Sequence, residues 1–330
     1  MLQIENKTPF ATDIALLPNE HGVDSLYAIA KATFNIGSGL SLADEQAPPQ
    51  QADEYFTEPL ESSLKAASDF HIGKPVTDIV VMGEACAREG QEVRVVDVSV
   101  QVANKKKSLR VFGDRVWQGG KISTPELFSK IPIVYERAFG GQIVEDGVCK
   151  AAVESNPVGC GFLEAHDNES VEGTKLPNIE APEELITTPR DKPNPACFAY
   201  VAPNWAPRVS FAGTYDEHWR GKRAPFLPKD FNRRFLNMAS EGLVVDKFLS
   251  GGEPVVIENM NPLGRIKFQL PVINLKCRIN FAGRLLELKP NLETVLIEPS
   301  ELKLTLIWKS EFVYNKFAHK INEVQFGLAR

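Results

Sequence analysis

Three carboxylates, Glu136, Asp216 and Glu217, lie among aromatic residues. That composition suits a glycoside-hydrolase cleft, where two carboxyl groups with split pKa values act as acid and as base or nucleophile. Structural ion pairs, here Glu136–Arg137 and Asp216–Arg220, are the commoner reason for such neighbours. A carbohydrate-directed hydrolase using Glu136 with Asp216 or Glu217 is therefore the secondary expectation. Metal chemistry would need closely spaced ligands, but the histidines at 21, 71, 166, 218 and 319 are scattered, and Asp216-Glu217-His218 is not an HExxH motif. Ser62-x-x-Lys65 matches the first motif of penicillin-recognising enzymes, without the KTG and SDN partners. Ile36-Gly37-Ser38-Gly39 is no nucleophile elbow, and Gly119-Gly120 and Gly251-Gly252 lack phosphate-loop spacing. No cofactor or metal is expected.

The densest run of unusual chemistry is NWAPRVSFAGTYDEHWRGKRAPFLPKDFNRRF, from Asn204 to Phe235. It lacks a sustained helical or strand period, yet it is too rich in large apolar side chains for a solvated linker. A long ordered loop of this kind is usually functional. Arg220, Lys222, Arg223, Lys229, Arg233 and Arg234 alternate with Trp219, Phe226, Phe231 and Phe235, which is material for gripping a single nucleic-acid strand. A net charge of −6 and the lack of a recognition fold argue against nucleic acid. Arginine and tryptophan also dominate protein–protein hot spots, and that reading fits the composition best.

The elements that must position this loop are mostly strands. Strand character runs through Leu26–Ile36, Val76–Gly83, Val93–Val102 and Ser108–Trp117, predicting an antiparallel meander between Ser25 and Tyr135. Strands return at Glu253–Met260, Arg265–Pro271, Cys277–Ala282, Leu285–Leu288, Glu293–Glu298 and Leu302–Phe312. Leu302, Leu304, Leu306 and Trp308 alternate with polar residues, the pattern of a half-buried strand. Two short helices are predicted. One starts at Thr124-Pro125-Glu126; the other is capped by Asp230, with Phe231, Phe235 and Met238 on one face. The fold class is mainly β: antiparallel sheets, sandwich- or barrel-like, in both terminal regions. One domain spans 1–330, divided into a β-rich 1–140, a loop-rich 141–250 and a β-rich 251–330.

Hydrophobic content of 43% and charged content of 24% are ordinary for a globular protein. Five cysteines at 86, 149, 160, 197 and 277, with no CxxC pair, fit free thiols in a reducing compartment. The N-terminal residues lack a secretory pattern, and no apolar run approaches the roughly 18 residues of a membrane span. A cytoplasmic protein is expected.

Several stretches carry a family resemblance: SDFHIGKPVTDIVVMGEA (68–85), VFGDRVW (111–117), IPIVYERAFGG (131–141), NPVGCGF (156–162), LPNIEAP (176–182), WAPRVSFAGTYDEHWRGKRAPFLPKDFNRRFLNMA (205–239), LSGGEPVVIENMNP (249–262) and ETVLIEPSELKLTLIW (293–308). In this order they resemble a bacterial family encoded in type VI secretion gene clusters beside spike and toxin genes. Cys160 and Ala196-Cys197 depart from the loop residues expected at their places. The resemblance implies an adaptor or chaperone, not an enzyme. Such a protein binds a toxic effector, often fused to a PAAR tip domain, and helps load it onto the valine-glycine-repeat spike. No catalytic residue comes with it. Trp205, Arg208, Tyr215, Trp219, Arg220 and Arg223 are the candidate partner contacts, since rigid rings and arginines offer large contact area.

Overall fold

The computed structural model describes residues 2–89, 91–163 and 171–329, so His166 lies outside the described residues. Strands take up 42% of the chain and helix 6%, in several mainly antiparallel sheets that stay open rather than closing into barrels. A six-stranded sheet runs in the order Ala11–Pro18, Asp24–Ile36, Lys303–Val313, Asn291–Glu298, Asp78–Val81, with Leu40–Leu42 paired to the end of Asp24–Ile36. A five-stranded sheet runs Ile179–Glu180, Lys105–Phe112, Val95–Val102, Pro254–Glu258, Arg265–Gln269. A four-stranded sheet runs Gln3–Asn6, Ile321–Leu328, Leu275–Phe281, Arg284–Leu288.

The meander expected over 25–135 does not form as one sheet. Asp24–Ile36 instead lies between Ala11–Pro18 and Lys303–Val313, and Asp78–Val81 runs parallel to Asn291–Glu298. Strands from both ends of the chain thus interleave. Leu26, Ala28, Ala30 and Ala32 point from Asp24–Ile36 into one core, shared with Val98, Val100, Ile257, Ile279, Val324 and Leu306 from all three sheets. Tyr27 and Ile29, on the opposite face, pack with Ala15, Ile72, Leu236 and Ile307. A strand covered on both faces reads as a nearly continuous apolar run, as this one does.

Lys303–Val313 is also covered on both faces, which corrects the half-buried reading. Thr305, Ile307 and Lys309 are all buried, and Lys309 is only 2% exposed. The apolar half of that face gives way to a buried ionic half. Lys309 lies 3.4 Å from Glu293 and donates to the His71 carbonyl at 3.0 Å. Lys74 meets Asp78 at 2.7 Å and donates to Thr294 at 2.8 Å, while Lys31 meets Asp69 at 3.0 Å. Each lysine is neutralised by a carboxylate, on another segment for Lys31 and Lys309 and four residues along its own for Lys74, so the alternation of charge along the sequence marks pairing rather than solvent.

Both predicted helices are displaced by competing contacts. Residues 123–127 are irregular, because Arg94 donates to the Pro125 carbonyl and Glu126 donates from its backbone to Asp114. Gly113 lies so close that a Cβ there would fall 1.9 Å from the Glu126 carbonyl oxygen. Asp230 caps no helix, since its carboxylate receives the backbone N–H and hydroxyl of Thr214. Only Arg233–Leu236 coils, as a 3-10 turn capped by Asn232. Beyond it, Asp78 accepts from the Met238 backbone at 2.8 Å and from the Asn237 amide at 2.9 Å, drawing the chain into an extended path.

His71 sits inside this ionic layer. Its Nδ1 donates to the Ile72 carbonyl at 2.7 Å, leaving Nε2 to face the Lys309 ammonium at 3.1 Å. Burial, followed by the nearby Lys309 and Lys74 charges, holds its pKa well below the ordinary histidine value. The unfolded chain takes up a proton near pH 6.5 that the native state refuses, so this site makes stability fall as pH drops below that value. The limiting slope is about 1.4 kcal/mol per pH unit. Thermal melts of wild type and His71→Gln from pH 7.5 to 5 should show the steeper loss in wild type; parallel curves would exclude this role.

Candidate functional site

The Pro207–Leu236 excursion is built from short turns held by side-chain ties. Arg208–Phe211 forms a 3-10 turn, followed by the helix α1, Glu217–Lys222, whose first turn is capped when Asp216 accepts from the Trp219 backbone at 2.7 Å. The Trp219 indole donates to the Phe226 carbonyl at 2.9 Å, closing the outer end. Gly213 has φ +84°, and a Cβ there would sit 2.8 Å from the Pro228 ring, so glycine allows the two limbs to close. Arg223 donates to the carbonyls of Leu227 and Glu20, at 2.8 and 2.9 Å. Arg233 forks between Glu20 at 2.6 Å and Glu311 at 3.0 Å, anchoring the inner end to the six-stranded sheet.

The six candidate contact residues fall into two groups. Trp205 is 1% exposed and meets Tyr135 edge-on, with ring centroids 5.2 Å apart. Arg208, also buried, donates to the Phe235 and Val201 carbonyls at 2.7 Å each, and burial lowers its pKa from the ordinary arginine value. Both are internal anchors. Arg223 is a half-buried strut. Tyr215, Trp219 and Arg220 form the outer group: Tyr215 is 52% exposed and packs edge-to-face on Trp219 at 4.7 Å, while Arg220 pairs with Glu217 at 2.6 Å. Val209, which the sequence reading did not single out, adds exposed apolar surface, as does Phe226 from the basic, aromatic cluster. Glu20 was missed too, because its partners Arg223 and Arg233 lie far away in sequence and leave no local pattern.

The three carboxylates do not converge on one cleft. Glu136 receives the Ser63 backbone N–H at 2.6 Å and its hydroxyl at 2.8 Å. It lines a cavity of about 650 Å³ with Asp114, Arg115, Arg137, Cys160 and Asn178, whereas neither Asp216 nor Glu217 reaches that wall. The expected Glu136–Arg137 and Asp216–Arg220 pairs give way to Arg137–Asn178, at 2.9 Å, and Glu217–Arg220. Burial pushes the Cys160 thiol up to about 11, away from nucleophilic character. Ser62 bonds to Glu58 and Thr57 while Lys65 pairs with Glu54, so that motif is not assembled either. Among the described residues, no group of three or more His, Cys, Asp or Glu side chains is placed to hold a metal ion. One side of the cavity rests on a tight crossing: buried Asn156 donates to the Tyr135 and Phe139 carbonyls, and a Cβ on Gly140 would come within 2.2 Å of the Asn156 carbonyl oxygen.

Stability separates anchors from surface. Trp205→Ala should cost about 3–5 kcal/mol, as for other large buried aromatics, whereas Tyr215→Ala should stay within about 0.5 kcal/mol. Urea unfolding of both variants tests this assignment, and equal losses would refute it.

No helix among the described residues is long and apolar enough to cross a membrane. No curated protein and no solved structure matches the chain. A family model described as an uncharacterized protein conserved in bacteria, DUF2169, matches residues 21–309. That span contains the Asp24–Ile36 and Asn291–Glu298 strands, most of Lys303–Val313 and the whole Pro207–Leu236 excursion. The chain belongs to the bacterial family DUF2169.

Proposed function

We propose that this protein is a non-catalytic adaptor that binds a toxic effector in the cytoplasm and helps load it onto a type VI secretion spike. The observation that carries the reading is the outer end of the excursion, where exposed Tyr215 and half-buried Trp219 pack as a ring pair fixed beside Arg220 at a capped helix. Rings already locked in place lose little conformational freedom on binding, which favours a protein partner. The resemblance of the 68–85 and 205–239 stretches to effector adaptors supplies the partner: a PAAR-bearing or toxin protein, with the valine-glycine-repeat spike as its destination. Glu136, Asp216 and Glu217, the residues on which a hydrolase would rest, each hold a structural contact instead.

Binding only the loading-competent form of the effector stabilises that form, by about 2.7 kcal/mol when the adaptor stands at 100 times its Kd. The toxin encoded beside this gene should co-purify with the wild-type chain and be lost from a Tyr215→Ala/Trp219→Ala/Arg220→Ala variant whose melting temperature is unchanged. Failure of the wild type to retain that toxin, with normal toxin secretion in a deletion strain, would overturn the reading.

A further inference from the structure

The outer face of the excursion holds more positive charge than its own carboxylates neutralise. Asp216 caps α1, Glu217 pairs with Arg220, and Asp230 is held by Thr214. Arg223 and Arg233 are turned inward onto Glu20 and Glu311. Lys222, Lys229 and Arg234 remain exposed, and none has a carboxylate partner among the described residues. This local excess stands on a chain whose net charge is −6.

Arg234 also marks the lip of a cavity. Its guanidinium lies over the Phe211 ring, 4.4 Å from the centroid, and both residues line a cavity of about 530 Å³. Val201, Ala206, Pro207 and Val244 make up much of the apolar wall. Arg208 lines it as well, with its guanidinium already bound to two carbonyls, and Glu241 is the single acid among the described lining residues. The cavity and the outer face are tied together, since Asn232 donates to the Phe211 carbonyl at 3.0 Å and Thr214 holds Asp230 at 2.7 Å.

From this arrangement we propose that the cavity and its cationic lip dock an extended segment of the partner protein in which acidic residues flank an apolar anchor. The anchor enters between Val201, Pro207 and Phe211, one flanking carboxylate meets Arg234 at the lip, and those further along the segment meet Lys229 and Lys222 on the exposed part of the excursion. This rests on the adaptor reading and gives its partner a chemistry. The site fits such a peptide better than a nucleic-acid strand: of its two lining rings, Tyr135 is buried against Trp205 and Phe211 is covered by Arg234, and Tyr215 and Trp219 already pack on each other, leaving no open pair of faces to sandwich a base. Charges around an apolar anchor add specificity and speed encounter, and their effect falls with salt.

The test uses the full chain and fluorescence anisotropy. The probe is a short labelled peptide with leucine at every third position among glutamates and serines; controls are its lysine-for-glutamate counterpart and an oligothymidylate. Wild type should prefer the acidic peptide, with affinity falling as salt rises. Lys222→Glu/Lys229→Glu/Arg234→Glu should weaken it on the order of 10-fold or more with an unchanged melting temperature. Wild-type failure to bind the acidic peptide, equal binding by the triple variant, or preference for oligothymidylate would each overturn the proposal. Pull-down of the neighbouring toxin separates the two readings. Retention of the toxin by the triple variant as by wild type removes this docking site and leaves the adaptor role. Peptide binding without toxin capture by wild type keeps the site and removes that role.

Discussion

Charge is buried beneath the six-stranded sheet, and its neutralisation organises the segments above. Lys31, Lys74 and Lys309 meet Asp69, Asp78 and Glu293 where water does not reach freely. Burial lowers the Lys309 pKa to about 8 and raises that of Glu293, a sign of how much solvation the pair has given up. Removing one member of a buried pair strands the other, a cost of about 3–5 kcal/mol in comparable cases. The 68–78 segment can therefore sit in one register on the sheet. Asp78 extends the constraint, because it also accepts from Met238 and Asn237 and so fixes the point at which the excursion returns to the core.

This inner fixation explains how a loop-rich segment can present a defined surface. Trp205 and Arg208 hold its base, Arg223 and Arg233 brace it to Glu20, and only the outer turn shows rings to solvent. Aromatic and arginine residues thus divide between two tasks within one stretch. Residue type alone does not separate them; burial and the identity of the hydrogen-bond acceptor do.

Most long strands were legible because their causes are local. The β-branched runs of Val95–Val102 and Asn291–Glu298, and the Asn-Pro and Gly breaks of the C-terminal third, act within a few residues. Ala11–Pro18, a hairpin partner of Asp24–Ile36, was passed over, and three misreadings involve a more distant partner. Lys309 reads as solvent-facing until Glu293 and His71 are placed against it. Asp230 has the form of a helix cap, but Thr214 claims its carboxylate first. Thr124-Pro125 has a helix start's chemistry, yet Gly113 and Arg94 hold that stretch irregular. At the candidate site the stretch itself was legible from composition, whereas its sorting into anchors and surface required Tyr135, Glu20 and Glu311.

The pairing of Asp24–Ile36 with Lys303–Val313 has a consequence for biosynthesis. The Tyr27 hydroxyl finds its acceptor, Glu311, 284 residues further along the chain. Asp24–Ile36 therefore waits on the ribosome for Lys303–Val313, and its row of alanine, isoleucine and leucine has only Ala11–Pro18 and the short Leu40–Leu42 beside it meanwhile. Non-local pairing of this kind is slow and leaves strand edges open to other chains. Shielding of that edge on the nascent chain is thus a requirement separate from the strength of the finished fold.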